Sequence, residues 1–307
     1  MNMSARDEAD RFRGCLLGLA AGDAVGTTVE FQPRGSFLPV TGMAGGGPFD
    51  LSPGEWTDDT SMALCLASSL LWVGGFDARD QMNRYCNWAD HGYLSSNGHC
   101  FDIGNTVRRT LSRYRETGDP FSGETDPHTA GNGSIMRLAP VPMFYFPDRE
   151  RALHFAVESS RTTHGAPECL DACRLLADIL FLALEGAGKE EVLTGSDPGQ
   201  ITSTAIQSIA RGAYRKKPTA GVRGTGYVVE SLEAALWCFS TTETFEDAIL
   251  TAANLGDDAD TTAAVCGQVA GAYYGESGIP ERWRERLVMR QEIRDLADRL
   301  CSASRQH

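Results

Sequence analysis

Positive charge is what this chain is shortest of. Arginine and lysine number 28 against 41 acidic residues, a formal net charge of −13, and an acidic surface of that kind repels phosphate backbones and anionic lipid headgroups. Nucleic acid and membrane surfaces are excluded as partners on that ground, and an anionic substrate would need a local cation. Long apolar runs are missing too, since none approaches the roughly 18 residues of a membrane span. Residues 1–13 are charged and lead into no signal-peptide core, so a cytoplasmic location is the expectation. The nine cysteines (15, 65, 86, 100, 169, 173, 238, 266 and 301) are odd in number and include no Cys-x-x-Cys pair. That pattern suits free thiols in a reducing compartment better than a disulfide frame or a zinc site. Cys169 and Cys173 sit one helical turn apart and are expected only to pack. No strand-like alternation of convincing length and no repeat of roughly 20 to 50 residues is present.

What is present is helical spacing. With 42% hydrophobic and 22% charged residues over 307 positions, the chain can bury a sizeable core, and no linker divides it. One all-α domain, 1–307, is the expected architecture. A first helix is read from about Asp7 to Gly22, with Phe12, Cys15, Leu16, Leu19 and Ala20 on one face. Gly14, Gly18 and Gly22 recur along another face. Each glycine costs a helix about 1 kcal/mol, so close approach of a neighbouring helix is the expected compensation. Further helices are read at 61–72, after Asp102-Ile103-Gly104, and through the periodic runs Leu170–Leu184, Val229–Phe239 and Val265–Tyr273. Residues 283–300 read as one charged amphipathic helix. Residues 32–53, 115–130, 185–200 and 212–226 read as loops or connectors, and the first of these leads into an acidic stretch, which favours a functional loop.

Two acidic stretches organise the rest: Thr57-Asp58-Asp59-Thr60-Ser61 and Asp257-Asp258-Ala259-Asp260-Thr261-Thr262. Each opens a run of small and apolar residues, which places carboxylates and hydroxyls at two helix N-termini. Either each stretch merely caps its own helix, at roughly 1 kcal/mol per cap, or the two ends meet. In the second case Asp58, Asp59, Asp258 and Asp260 crowd together, and like charges that close require raised pKa values or bound divalent cations. Oxygen-only donors select hard ions such as Mg²⁺, Mn²⁺ or Ca²⁺, and two of them would balance four carboxylates. Asp23 and Glu30, in Gly22-Asp23-Ala24-Val25-Gly26-Thr27-Thr28-Val29-Glu30, are acids among small neighbours and either cap a helix or meet a cation.

With Gly14-Cys15-Leu16-Leu17-Gly18-Leu19-Ala20-Ala21-Gly22-Asp23-Ala24-Val25-Gly26, Trp56-Thr57-Asp58-Asp59-Thr60, Gly131-Asn132-Gly133-Ser134-Ile135-Met136-Arg137, Thr163-His164-Gly165, Gly226-Tyr227-Val228-Val229 and Gly256-Asp257-Asp258-Ala259-Asp260-Thr261 in this order, the chain resembles the ADP-ribosylglycohydrolases. The resemblance runs from about residue 12 to 275. It implies a compact all-α domain with two Mg²⁺ or Mn²⁺ ions in a cleft, held by Thr57, Asp58, Asp59, Asp258, Asp260 and Thr261, with Asp257 behind them. It implies Asp102 or Glu30 as the catalytic base, Asp102 being favoured. Asp102 as a helix cap and Glu30 as the partner of an arginine remain the bland alternatives. Gly131, Asn132, Gly133, Ser134, His164 and Tyr227 fall in segments that hold diphosphate and adenosine. The backbone N–H groups of 131–134 would cradle the phosphates, His164 would either bind phosphate or serve structure, and Tyr227 would either stack on adenine or pack in the core. His91, His99, His128 and His154 show no ligand spacing.

Three activities fit these residues. The first is metal-dependent removal of ADP-ribose from a modified protein side chain, arginine foremost. The second is an immunity role, in which the protein occludes a cognate ADP-ribosyltransferase toxin with or without hydrolysis. The third is two-metal cleavage of a phosphate ester, distinguishable by its products.

Overall fold

The computed structural model describes residues 5–305, and among them the chain forms fourteen α-helices. They are α1 Ala5–Gly26, α2 Asp58–Val73, α3 Ala78–His91, α4 Asn105–Thr117, α5 Pro140–Tyr145, α6 Arg149–Arg161, α7 Pro167–Glu185, α8 Lys189–Thr194, α9 Thr204–Ala210, α10 Val228–Thr241, α11 Phe245–Ala253, α12 Ala259–Tyr274, α13 Glu281–Arg284 and α14 Arg290–Ser304. No strand forms among the described residues; pairing outside the helices is limited to isolated bridges such as Gly131 with Tyr227. The fold is all-α, as the periodicity implies.

The glycine repeat of α1 finds its partner in α12. A Cβ placed on Gly14, Gly18, Gly22 or Gly26 would lie only 2.1 to 2.4 Å from the carbonyl oxygens of Gly271, Gly267, Ala263 and Ala259 respectively. These pairs step in opposite directions along the two helices, so α1 and α12 run antiparallel with their backbones in contact. Direct backbone packing of this kind gains dispersion contacts that offset the low helix propensity of glycine. The α12 helix is buried all round from Ala259 to Ala272, the condition for a helix at the centre of a bundle. At its C-terminus Arg11 donates to the carbonyls of Ala272 (3.2 Å) and Tyr273 (2.7 Å), satisfying acceptors that the helix leaves orphaned. The antiparallel seam sets the C-terminal end of α1 against the N-terminal end of α12. Asp23 and Glu30 therefore stand beside Asp258 and Asp260.

The main core is continuous from Phe12 to Cys301. A smaller apolar cluster, including Met62, Met82, Tyr85, Trp88 and Met136, lies beneath α2, α3 and α4. Buried Gln268 on α12 ties the 131–139 segment down, its Nε2 donating to Ile135 O and Met136 O and its Oε1 accepting from Ala139 N–H. All nine cysteines are free thiols, and Cys169 and Cys173 are buried packing residues on α7.

Several boundaries differ from the periodic reading. Helix α1 continues to Gly26 and α2 begins at Asp58 rather than 61. The Tyr85 and Trp88 region is a full helix, α3, with Asp77 accepting from the N–H groups of Arg79 and Asp80 at its start. The expected 283–300 helix is two helices, α13 and α14, separated by residues 285–289, with Met289 at φ 54°. The separation has a tertiary cause. Val288 N–H donates to Gly54 O, Trp56 Nε1 donates to Val288 O and Arg286 donates to Met43 O, so the 43–56 loop claims the backbone that a continuous helix would use. The expected loops 185–200 and 212–226 contain α8 and short 3₁₀ turns.

Candidate active site

The two acidic N-termini meet, and neither acts as its own cap. Helix α2 has Thr57 at its N-cap with no side-chain cap bond. Its capping is supplied from α1 by Asp23, which is fully buried and accepts from Thr57 N–H (2.9 Å), Thr57 Oγ1 (2.9 Å), Thr60 N–H (3.0 Å) and Thr60 Oγ1 (2.6 Å). Burial pushes the Asp23 carboxyl up to about 6 while these four donors pull it down. Helix α12 likewise has Asp258 at its N-cap without a side-chain cap bond; the Asp258 carboxylate instead accepts from Asn132 Nδ2 at 2.8 Å. Freed from capping, the remaining acids point at one another. Oxygens of Asp23, Asp59 and Asp260 lie within 4.8 Å of each other, and so do oxygens of Glu30, Asp102 and Asp260.

These groups border a cleft of about 750 Å³, lined by Glu30, Asp58, Asp102, Asp258, Asp260 and Thr261 among others. Asp59 and Thr57 stand one layer back and do not border it. Thr261 Oγ1 donates to Asp59 (3.2 Å), and Thr57 Oγ1 approaches Asp260 at 3.3 Å. Burial and crowding leave their mark on Glu30, Asp58, Asp59, Asp102 and Asp260. Burial first, then the neighbouring acids, raises Asp58, Asp59 and Asp260 well above the usual carboxylate range. Burial followed by repulsion from Asp102 and Asp258 lifts Glu30 to about 10, and burial followed by repulsion from Asp23 and Asp258 lifts Asp102 to about 7. Two buried carboxylate oxygens, Asp260 Oδ1 and Glu30 Oε2, have no hydrogen-bond partner, a condition that costs several kcal/mol for a charged oxygen in a dry site. The donor set therefore fits a divalent metal: all oxygen, mostly carboxylate, with two of those oxygens unsatisfied.

The bland alternatives for the two candidate bases fail on geometry. Asp102 does not cap α4, whose N-cap is Gly104, and its backbone is held at φ 57°, a strained setting that is common where a side chain must be aimed. Glu30, 3% exposed, faces acids and forms no ion pair among the described residues.

On the other wall, Gly131, Asn132, Gly133 and His164 border the cleft. The N–H groups of Gly131 and Asn132 are committed to Thr129 O (2.8 Å) and Gly226 O (3.1 Å). Of the four expected to cradle phosphate, Gly133 and Ser134 are the two with no backbone acceptor among the described residues. Ser134 does not border the cleft, and its buried Oγ is unpartnered. His164 is 2% exposed. Arg137 Nη2 donates to Thr163 Oγ1 (2.5 Å), and the same hydroxyl lies 2.8 Å from His164 Nδ1. With the Thr163 hydroxyl as donor to Nδ1, the imidazole is the Nε2–H tautomer. Its ring lies so close to Gly133 that a Cβ there would meet it at 2.7 Å. Burial, reinforced by Arg137, pulls His164 down to about 3, so it is neutral at physiological pH. Tyr227 is 39% exposed rather than in the core, and its hydroxyl donates to Glu168 at 2.7 Å. It borders an adjoining hollow that shares Thr106, Gly131 and Gly226 with the cleft.

Sequence reasoning did not single out Arg223, and for Asp23 it left open a cap or a cation. Asp23 is a cap, but the N-cap residue it serves, Thr57, is 34 residues away. Arg223, in a stretch read as loop, is the one Arg or Lys side chain lining the cleft among the described residues; its guanidinium lies 3.9 Å from Glu230.

Comparisons with known proteins put this all-α body and its acid-lined cleft among the glycosyl-bond hydrolases. The ADP-ribosylglycohydrolase family model matches residues 4–307, and the chain belongs to that family. It is similar to the ADP-ribosylarginine hydrolase Tri1 of Serratia proteamaculans (strain 568), 46% identical over 96% of this chain and 80% of the relative. The protein of the same name from Pseudomonas putida (strain GB-1) is 49% identical over 95% of this chain and 78% of its own length. Among solved structures, an ADP-ribosylglycohydrolase-related protein complex superposes with a TM-score of 0.86 at 45% identity, covering 97% of this chain and 99% of that one.

Proposed function

We propose that this enzyme removes ADP-ribose from modified arginine side chains of proteins, using two divalent ions, Mg²⁺ or Mn²⁺. The observation that carries the reading is the pair of unpartnered buried oxygens, Asp260 Oδ1 and Glu30 Oε2, in a cleft shared by Asp58, Asp258 and Thr261. The two relatives named as ADP-ribosylarginine hydrolases support the choice of acceptor. Thr57, Asp58, Asp59, Asp258, Asp260 and Thr261 are the proposed holders of the ions. Divalent ions held there would neutralise the crowded carboxylates and supply Lewis-acid stabilisation of charge on the ribose.

The chain's own groups do the remaining work. Asn132 fixes Asp258 through its 2.8 Å bond. His164 Nε2–H and the N–H group of Gly133 donate to the diphosphate, and Arg223 supplies its counter-charge. Tyr227 provides an aromatic wall for adenine in the adjoining hollow. Asp102 takes a proton from the attacking water, with Glu30 as the second carboxylate in reach. The new C–O bond forms at the anomeric carbon as the C–N bond to the guanidino group breaks, and the proton that Asp102 took from water passes to the departing guanidino nitrogen. The nine free thiols support action in a reducing, cytoplasmic setting.

The test is a product assay. Metal-replete protein incubated with an ADP-ribosylarginine peptide should release intact ADP-ribose, and chelation should stop the release. Absence of release from arginine, serine and O-acetyl forms alike would overturn the reading, and release of phosphate or AMP would reassign the bond cleaved.

A further inference from the structure

Beside the acids, the cleft has a feature that the chemistry above does not use. Phe31 follows Glu30 directly, lines the cleft and is 65% exposed. Its backbone is held at φ 62°, a left-handed setting that costs a bulky residue roughly 1–2 kcal/mol. The setting is enforced from α12's side of the cleft. Phe31 N–H donates to Asp257 O (2.7 Å), Asp257 N–H donates to Gln32 O (2.8 Å), and Asp257 is itself at φ 56°. Two strained residues thus clamp one another and hold a phenyl ring out in solvent, where it contributes nothing to the core. The ring is backed by others. Phe49 meets it edge to face at 6.5 Å between centroids, and Phe101, next to Asp102, packs on Phe49 at 5.3 Å.

The result is an aromatic ridge flanked by the carboxylates of Glu30 and Asp102, on the acid side of the cleft. The hollow beside Tyr227 contains none of these residues. A π-face next to anionic oxygens recognises a flat cation, since the ring quadrupole attracts the charge and the ring itself matches a planar group. We propose that Phe31, supported by Phe49 and Phe101, stacks on the guanidinium of the modified arginine and sets the preference for arginine over hydroxyl acceptors such as serine. The inference rests on the arginine-hydrolase reading above and adds the residue that selects the acceptor.

The experiment uses the full-length, metal-replete enzyme with Phe31→Leu, Phe31→Ala and Phe31→Tyr. Its readouts are kcat and KM on ADP-ribosylarginine and Kd for free ADP-ribose by calorimetry. Leu and Ala should raise KM by about tenfold, the effect of one desolvated cation–π contact. Tyr should stay within about twofold, and Kd for ADP-ribose should be the same in all four proteins. An unchanged KM in the Leu variant overturns the proposal. So does a parallel loss of ADP-ribose affinity, which would make Phe31 a support of the sugar site. If the wild type cleaves a serine linkage and not an arginine one, the ridge and the choice of acceptor fall together while the hydrolase stands; if it cleaves arginine and the variants are indifferent, the ridge alone falls.

Discussion

Asp23 and Asp260 are both buried carboxylates within a few ångströms of each other, 0% and 2% exposed, yet their surroundings are opposite. Asp23 receives four hydrogen bonds from the first turn of α2, enough to satisfy both of its oxygens. Asp260 has Oδ1 with no partner and Oδ2 with one long contact to Thr57. A carboxylate whose lone pairs are filled by amides and hydroxyls belongs to the scaffold; one left bare among other acids is waiting for a cation. The contrast also explains why two stretches that read as helix caps can hold metal. The α2 N-terminus is capped from α1, so Asp58 and Asp59 are released from that duty.

The sharpest way to break the comparison is to remove each charge in turn. Asp260→Asn should leave the protein folded, because it removes charge from an over-crowded site, and should lower the rate of ADP-ribose release on the order of 10³-fold or more through lost metal. Measured thermal stability without metal should hold or rise. If activity survives, Asp260 is not a ligand. Asp23→Asn should act the other way round. It forfeits up to four charge-assisted bonds at about 1 kcal/mol each and leaves a donor where an acceptor is required. Denaturant unfolding should show a loss of about 2–4 kcal/mol, with activity reduced about tenfold as the α2 end shifts and places Asp58 and Asp59 less well. Retained stability in that variant would mean that the Thr57–Thr60 turn finds its cap elsewhere.

How much of this was legible beforehand depends on whether the signal is local. The glycine repeat announced a close helix neighbour because its cost is local; which helix answers is a property of the fold. The paired acids announced a cation site because their crowding is written into Asp58-Asp59 and Asp258-x-Asp260. Asp23 was visible as an acid among small residues, but the turn it caps belongs to another helix, and no short-range pattern links Asp23 to Thr57 and Thr60. The break between α13 and α14 was hidden for the same reason, since the 43–56 loop that takes over Val288 and Arg286 lies far away in sequence. Residues 283–300 taken alone read as one amphipathic helix.

A smaller effect, in pH, sharpens the same contrast. In the metal-free protein Asp23 is raised to about 6 and Asp102 to about 7, from an ordinary 3.8. Folded-state values above unfolded ones mean that the folded site keeps protons which the unfolded chain gives up near pH 4. The corresponding stability is full below pH 4 and is lost as pH rises through 6 to 7. His164 works in the opposite direction over a range that overlaps the acids' below pH 6.5 but is one group against several. Held neutral by burial and lowered to about 3, it contributes stability that is present above its unfolded value near 6.5 and is lost as pH falls towards 3. With chelator present, melting temperature should therefore decline from pH 5 to pH 8, and less steeply in Asp102→Asn, which has one fewer acid to titrate. Saturating Mg²⁺ or Mn²⁺ should flatten the decline, because the ions hold the carboxylates in the charged form, and calorimetry at pH 6 in buffers of different ionisation enthalpy should register proton release on binding. A chelated protein whose melting point is level across that range, or metal binding without proton release, would mean that the acids ionise without help and that Asp260 resembles Asp23 after all.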